Sequence, residues 1–356
     1  MSSDCYRRRM DRDVIGGLLT QWGESSYRME QIIRAQRTGA QSWDDVTTLG
    51  KELRARLAEH GPLWSVTPRE RLVSVDGTVK WRLGLHDGRE IEAVLIAHAR
   101  GRRTLCVSSQ VGCALGCKFC STGTMGFGRD LTTWEIFEQA LIAAHEADQQ
   151  GARLSNVVFM GMGEPMHNLP AVFGAIHEMH RPAPGLGISA RQIAISTVGW
   201  VPGIAELQEF PLPVRLAVSL HAADDETRSK MMPINQRYPI YNLLSACRRY
   251  CDTTGRRVFI EYVLLDGVND SQADAKRLAN ILRDGRFHVN LIEYNATGGE
   301  FQGSRPERRE LFLATLERAG LEASVRRSRG ADVAAACGQL VTAARGKAVG
   351  KVPTAS

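Results

Sequence analysis

Three cysteines within eight residues, Cys113-Ala-Leu-Gly-Cys117-Lys-Phe-Cys120, are the part of this 356-residue chain best suited to do chemistry. Thiolates spaced C-x3-C-x2-C on one loop suit three irons of a [4Fe-4S] cluster and leave the fourth iron open to solvent or a small ligand. A closed zinc site needs a fourth Cys, His or Asp, and none follows within the loop. The zinc alternative has to borrow Cys106 or a distant ligand. Other polar residues follow apolar runs further along. In Gly161-Met-Gly-Glu-Pro165 the glycines allow close approach of backbone to a ligand, and Glu164 can accept from a ligand ammonium. Ser196, Ser219-Leu220-His221 and Asn295 stand at similar positions. A Ser there is by itself most often a turn former. The shared position of these residues points to one pocket.

Six apolar runs must carry these residues: near 105–107, 157–160, 193–195, 216–219, 258–264 and 289–292. Helical stretches lie between them, at about 132–150, 168–181, 239–253, 272–284 and 306–319. The first opens on a capping box, Thr132 with Glu135 three residues on. Strands alternating with helices imply a parallel sheet with right-handed crossovers. Its ligands sit at the carboxyl ends of the strands. Six units are too few to close an eight-fold barrel, so the expected α/β fold is a partial (β/α)6 barrel, open enough for a large substrate. Ahead of it, residues 10–60 read as helices, with Met29, Ile32 and Ile33 on one face and Leu49, Leu53 and Leu57 on another. Residues 64–98 read as antiparallel strands around the turns Asp76-Gly77 and Asp87-Gly88. The expected organisation is an N-terminal accessory domain, 1–98, a barrel, 99–325, and a C-terminal segment, 326–356, ending in a mobile tail.

The net charge is +6, which favours a polyanionic partner. The positive residues clump at Arg7 to Arg9, Arg100 with Arg102 and Arg103, Arg248-Arg249, Arg256-Arg257, and Arg326-Arg327 with Arg329. Aromatics make up only 6%, which favours contact with backbone phosphates over a base-stacking platform. No apolar run has membrane-spanning length, and Met1 to Arg9 does not read as a signal peptide, so the expected location is the cytoplasm. In that reducing setting eight cysteines do not read as a disulfide scaffold. Cys247 and Cys251, four apart on a helix, read as structural.

With these residues assembled, the chain resembles the RlmN/Cfr family of radical S-adenosylmethionine (SAM) RNA methyltransferases. The resemblance is carried by Leu105-Cys-Val-Ser-Ser-Gln-Val-Gly-Cys113 running into the cluster loop, Gly161 to Pro165, Ser196-Thr-Val-Gly199, Ser219 to His221, Asn290-Leu-Ile292 with Asn295, and Arg329-Gly-Ala-Asp332 through Cys337-Gly-Gln-Leu340. Tyr27 to Gln31 and Gly77 to Trp81 resemble the family's accessory domain. The chain departs from the family's usual residues at Ala35, Asp130, Glu293 and Ala296. The resemblance implies that Cys113, Cys117 and Cys120 ligate one [4Fe-4S] cluster. It implies that Gly163, Glu164, Ser196, Ser219, Leu220, His221 and Asn295 hold SAM. It makes Cys337 the methyl-carrying cysteine and Cys106 its resolving partner. For the carboxylate that accepts a proton it offers Glu92, with Glu90 nearby.

The implied chemistry uses two SAM molecules per turnover, because carbon 2 or 8 of adenine is electrophilic and cannot attack a methyl group. One methylates Cys337 by nucleophilic displacement. The other yields a 5′-deoxyadenosyl radical that takes hydrogen from the S-methylcysteine. The carbon radical then adds to the base as a transient protein–RNA crosslink. Attack by Cys106 on the Cys337 sulfur frees the product and leaves a disulfide. The leading reading is methylation of adenosine C2 in 23S rRNA at the peptidyl-transferase centre, and in tRNA, by a monomer that takes electrons from a flavodoxin or ferredoxin. The alternatives are Cfr-type C8 methylation linked to antibiotic resistance, a non-catalytic RNA-binding protein with a structural cluster, and an enzyme acting on a small metabolite.

Overall fold

The computed structural model describes residues 12–341. Cys5, the Arg7 to Arg9 cluster and the part of the tail beyond residue 341 lie outside them. Three helices come first: α1 (Arg12–Gln21), α2 (Tyr27–Arg37) and α3 (Lys51–His60). α2 buries Met29, Ile32 and Ile33, and α3 buries Leu53 and Leu57, as the helical period of apolar residues requires.

The strands β1 (Val66–Val73), β2 (Val79–Leu85) and β3 (Glu90–Ala97) are antiparallel neighbours. β3 then pairs antiparallel with β4 (Arg102–Cys106), so this meander continues directly into the main sheet. β5 (Gln110–Cys113) and β6 (Gly126–Asp130) form a separate small hairpin on either side of the cysteine loop. Then come α4 (Thr133–Gln149), β7 (Arg153–Phe159), α5 (Leu169–His180), β8 (Ile193–Thr197), α6 (Val201–Gln208), β9 (Arg215–Ser219), α7 (Asp225–Met231), α8 (Ile240–Thr254), β10 (Val258–Leu264), α9 (Gln272–Leu282), β11 (Phe287–Glu293), α10 (Pro306–Arg318) and β12 (Glu322–Arg326).

The sheet has ten strands in the order β1-β2-β3-β4-β7-β8-β9-β10-β11-β12. From β4 to β12 all neighbours are parallel. This is the expected partial barrel of six strand–helix units, with β12 added at the far edge. Within the parallel part β10, flanked by β9 and β11, is buried along nearly its whole length. The other edge, β1, carries Arg69, Glu70 and Arg71 and an irregular register at Pro68, which discourages edge-to-edge pairing.

All six apolar runs are strands, and the Thr132–Glu135 capping box opens α4. The helical cap docks on α4 through Glu138, fully buried, which accepts from Gln36 and from the backbone N–H groups of Ser65 and Val66 at 3.1, 2.7 and 2.8 Å. The sequence reading lacks α7, whose Asp-Glu-Thr-Arg-Ser-Lys-Met has almost no apolar period. It also lacks β12, whose short Glu-Ala-Ser-Val-Arg run is half-exposed and half polar.

Candidate active site

The cysteine loop lies between β5 and β6 and is pinned at two points within it. The Lys118 N–H donates to the Met231 carbonyl at 3.0 Å, and the Ser121 N–H donates to the Gly338 carbonyl at 2.8 Å. Cys117 sits in a small apolar cluster with Met231, Met232, Ile234, Val263 and Leu265, against which Phe119 and Cys120 pack. None of the seven described cysteines is in a disulfide. Burial pushes the Cys113 thiol up to about 11 and the Cys117 thiol well above its ordinary range; the neighbouring cysteines and Glu164 add to both shifts. Three soft donors therefore share one dehydrated space and interact electrically. That donor set fits a cluster, whose irons would provide the positive charge that three thiolates need. Among the described residues no three His, Cys, Asp or Glu side chains converge on a single-ion position; thiolates on three different irons need not do so.

The residues expected to hold SAM gather at the carboxyl ends of β7 to β11. Gly163 takes φ +99°, and a Cβ there would lie 2.5 Å from Cβ of Gln110. The loop can pass so close to β5 only as glycine. Glu164 is buried and accepts from the N–H groups of Met166 and Val198 at 3.0 and 2.9 Å. Burial raises its carboxyl to about 7, against the pull of those hydrogen bonds. Ser196 and Ser219 are half-buried. Leu220 is fully buried, and its N–H donates to the Glu261 carbonyl at 3.0 Å. His221 has φ +58° and stacks edge-on against Phe119 of the cysteine loop, with ring centroids 4.7 Å apart. Its Nδ1 accepts from the Val263 N–H at 3.0 Å, which leaves the proton on Nε2. Burial lowers its pKa to about 3, so the ring is neutral. Asn295 donates to the Cys337 carbonyl at 3.2 Å, which brings the sixth strand's end against the C-terminal segment.

Sequence reasoning missed Arg228 of α7. Its buried guanidinium donates to the carbonyls of Val198, Ser219 and Leu220 at 2.6, 3.2 and 3.0 Å and to Oδ1 of Asn235 at 2.8 Å. It thereby fixes the loop after β8 against the end of β9. An Arg within a polar seven-residue helix carries no local sign of burial. Arg228→Leu leaves those carbonyls unpaired, at about 1–3 kcal/mol each. Thermal unfolding is expected to show that loss together with weakened SAM binding by calorimetry; an unchanged melting temperature would contradict this role.

After β12 the chain crosses the barrel mouth as a strap, residues 327–341. The Thr122 hydroxyl donates to the Leu340 carbonyl at 2.6 Å, and the Gln339 amide donates to the Ala296 carbonyl at 3.1 Å. Cys337 on this strap and Cys106 at the end of β4 are close enough that a charge on Cys337 acts on Cys106. Burial pushes the Cys106 thiol up to about 12 and the Cys337 thiol up to about 11, with Arg326 opposing both. Cys337 is also exposed to solvent. Both properties hold for a group on the wall of an open cleft, which solvent can reach although protein surrounds it.

Glu92 is buried and points inward. It pairs with Lys80 at 2.8 Å and accepts from the Val341 N–H at 2.9 Å. Burial raises its pKa against the opposing pull of Lys80. Glu90 instead pairs with Arg82 at 2.8 Å, away from the strap. Of the basic clusters, Arg326 turns toward buried Glu261 at 3.3 Å, Arg257 pairs with Glu322, and Arg248 donates to the Ile281 carbonyl at 2.7 Å. These three arginines are at least partly engaged within the fold. Cys247 and Cys251 are buried in α8, as expected of structural cysteines.

Residues 107–279 match the radical SAM superfamily. A dual-specificity RNA methyltransferase RlmN from Anaeromyxobacter sp. is 46% identical over 340 residues, covering 94% of this chain and 89% of that one. One of the same name from Syntrophobacter fumaroxidans is 44% identical, covering 90% and 93%. The crystal structure of a radical SAM methyltransferase from Sphaerobacter thermophilus superposes with a TM-score of 0.88 at 45% identity, covering 94% and 98%. At this identity over nearly the whole length, the chain belongs to the RlmN family of radical SAM RNA methyltransferases.

Proposed function

We propose that this chain methylates carbon 2 of an adenosine in 23S rRNA at the peptidyl-transferase centre, and in tRNA, with Cys337 as methyl carrier and Cys106 as the thiol that releases the product. The observation that carries the reading is the placement of the strap: the Gly338 carbonyl, next to Cys337, accepts from the Ser121 N–H, next to Cys120, at 2.8 Å, and a charge on Cys337 acts on Cys106 at the end of β4. Cys113, Cys117 and Cys120 would hold the cluster. Gly163, Glu164, Ser196, Ser219, Leu220, His221 and Asn295 would hold SAM. When bound, the cluster and SAM supply the methyl group and the 5′-deoxyadenosyl radical, which accounts for two SAM per turnover and for a flavodoxin or ferredoxin as one-electron donor.

The protein's own groups do the rest. Cys337 must lose its proton to accept a methyl group, and the charge of Arg326 favours that loss. Glu92, held by Lys80 and Val341, is the carboxylate for the ring proton, and the one electron that the radical adduct must also lose would return to the oxidised cluster. In the release step Cys106 as thiolate attacks the Cys337 sulfur. An S–S bond forms, the S–C bond breaks, and the electron pair passes to the methylene carbon, which takes a proton. An external dithiol then reduces the disulfide.

Residues 1–98 are assigned to RNA contact, 99–325 to the catalytic barrel and 326–356 to methyl carriage, in a cytoplasmic monomer. No helix among the described residues is long and apolar enough to cross a membrane. The deciding experiment is mass spectrometry of rRNA and tRNA nucleosides after expression in a host lacking its own enzyme. The expected product is 2-methyladenosine; 8-methyladenosine, or no product, overturns the reading.

RNA contact has its own test. Arg102→Glu and Arg103→Glu are expected to weaken RNA binding and to lower the salt slope by roughly one unit for each phosphate no longer neutralised. SAM cleavage without RNA is expected to persist. Unchanged slopes in both variants would make these arginines ordinary solvated residues.

A further inference from the structure

The strap that carries Cys337 is held from the far side of the molecule by the turn between β1 and β2. The contacts are reciprocal. Asp332 on the strap accepts from the Ser74 hydroxyl at 2.6 Å and from the Val75 N–H at 3.1 Å. Asp76 on the turn accepts from the Gly330 N–H at 3.1 Å, and Arg329 lies 4.0 Å from the same carboxylate. Gly330 takes φ +65°, and a Cβ there would lie 2.9 Å from Cγ2 of Thr78, so the strap is pressed onto the start of β2.

A second bend follows at once. Ala334 has φ +50°, a left-handed conformation that a residue with a Cβ seldom adopts unless its surroundings impose it. Lys80 braces it: Nζ donates to the Ala334 carbonyl at 3.0 Å, and the same ammonium pairs with Glu92. Glu92 in turn holds Val341, beyond Cys337. The residues flanking the methyl carrier are thus fixed to the β1–β2 turn, β2 and β3 on one side, and to Thr122 and Asn295 on the other.

We propose that the β1–β2 turn is a latch for the methyl carrier. Asp76 and Asp332 are positioning residues that keep Cys337 in register with Cys106, and they act through the strap without touching substrate. The inference rests on the reading of Cys337 as methyl carrier. Its chemistry requires one sulfur to meet a methyl donor, a base and the Cys106 thiolate in turn, which a loosely held strap does poorly.

The test uses the full chain with Asp76→Ala, Asp332→Ala and the double variant; Asp332 is exposed and Asp76 partly so. The first readout is amide hydrogen exchange without cluster or RNA. In the double variant the Gly330, Ala335 and Val341 amides are expected to exchange at least tenfold faster, while β7 to β11 stay protected. The second is catalysis: kcat for RNA methylation is expected to fall at least tenfold with KM for RNA within twofold of the parent, and Asp332→Asn is expected to retain more activity than Asp332→Ala. Unchanged strap exchange in the double variant, or a kcat within twofold of the parent, overturns the latch. Should the double variant fail to fold, Asp332→Ala carries the exchange test by itself, with the same tenfold expectation. Should the parent show no methyl on Cys337, the reading of that residue falls, and the exchange result still decides whether the turn holds the strap.

Discussion

A Cys106→Ala enzyme is expected to accumulate a covalent adduct, one methylene joining the Cys337 sulfur to an adenosine of the RNA. Methyl transfer to Cys337 and addition to the base do not call on Cys106. Release does, because no other described thiol is placed to attack the Cys337 sulfur: Cys247 and Cys251 are buried in α8, and the loop cysteines are assigned to the cluster. Free product is expected to fall by at least two orders of magnitude, since the missing thiolate is the nucleophile of that step. The adduct is visible as a band on a denaturing gel that collapses on nuclease treatment, with the modified peptide identified by mass spectrometry. Cys337→Ala is the contrasting case: cluster retained, no adduct, no methylated protein. Turnover by Cys106→Ala at the parent's rate would reduce Cys106 to packing. Retained Cys337 methylation with neither adduct nor product would move its role to an earlier step.

Cys117→Ala is expected to remove the cluster and with it all reductive cleavage of SAM. The parent, reconstituted without oxygen, is expected to bind about four irons, and the variant essentially none. The fold survives, because the lost sulfur leaves only a small gap among Met231, Met232 and Val263, costing about 1 kcal/mol. Circular dichroism of the two proteins therefore superimposes while the cluster absorbance and 5′-deoxyadenosine formation vanish. 5′-Deoxyadenosine from dithionite-treated Cys117→Ala would show that the loop is not the cluster site.

The strand–helix alternation was legible because buried parallel strands are largely apolar, as Val258 to Leu264 is apart from Glu261. The strand-end residues were legible because this topology brings them to one rim. Lys80 was not. In the alternation Val79, Trp81, Leu83, Leu85 it occupies the solvent-facing phase, yet it is only 7% exposed. What covers it is the strap, more than 250 residues later, and no local pattern reports so distant a neighbour. Arg326 was legible only in part: it is exposed, as a run of arginines suggests, but from β12, too polar to be recognised as a strand, it also reaches buried Glu261. Glu92 could be proposed from resemblance; Glu90, two residues before it on β3, shares its face, and the two differ in the neighbours they meet, Arg82 for Glu90 and Lys80 with the distant Val341 N–H for Glu92, which no local pattern reports.

The direct pairing of β3 with β4 bears on modularity. Val94 lies opposite Cys106 in that ladder, so β1 to β3 and the barrel share one hydrogen-bonded sheet, with only a four-residue connection between β3 and β4. A chain shortened to begin near residue 99 would leave Cys106 on a bare edge strand, open to pairing with other molecules. It would also strip the strap of Ser74, Asp76, Lys80 and Glu92. Exchanging this N-terminal part between relatives to alter target choice therefore cannot work as a cassette swap: the β3 face, the β1–β2 turn and the strap it grips have to be transplanted as one piece.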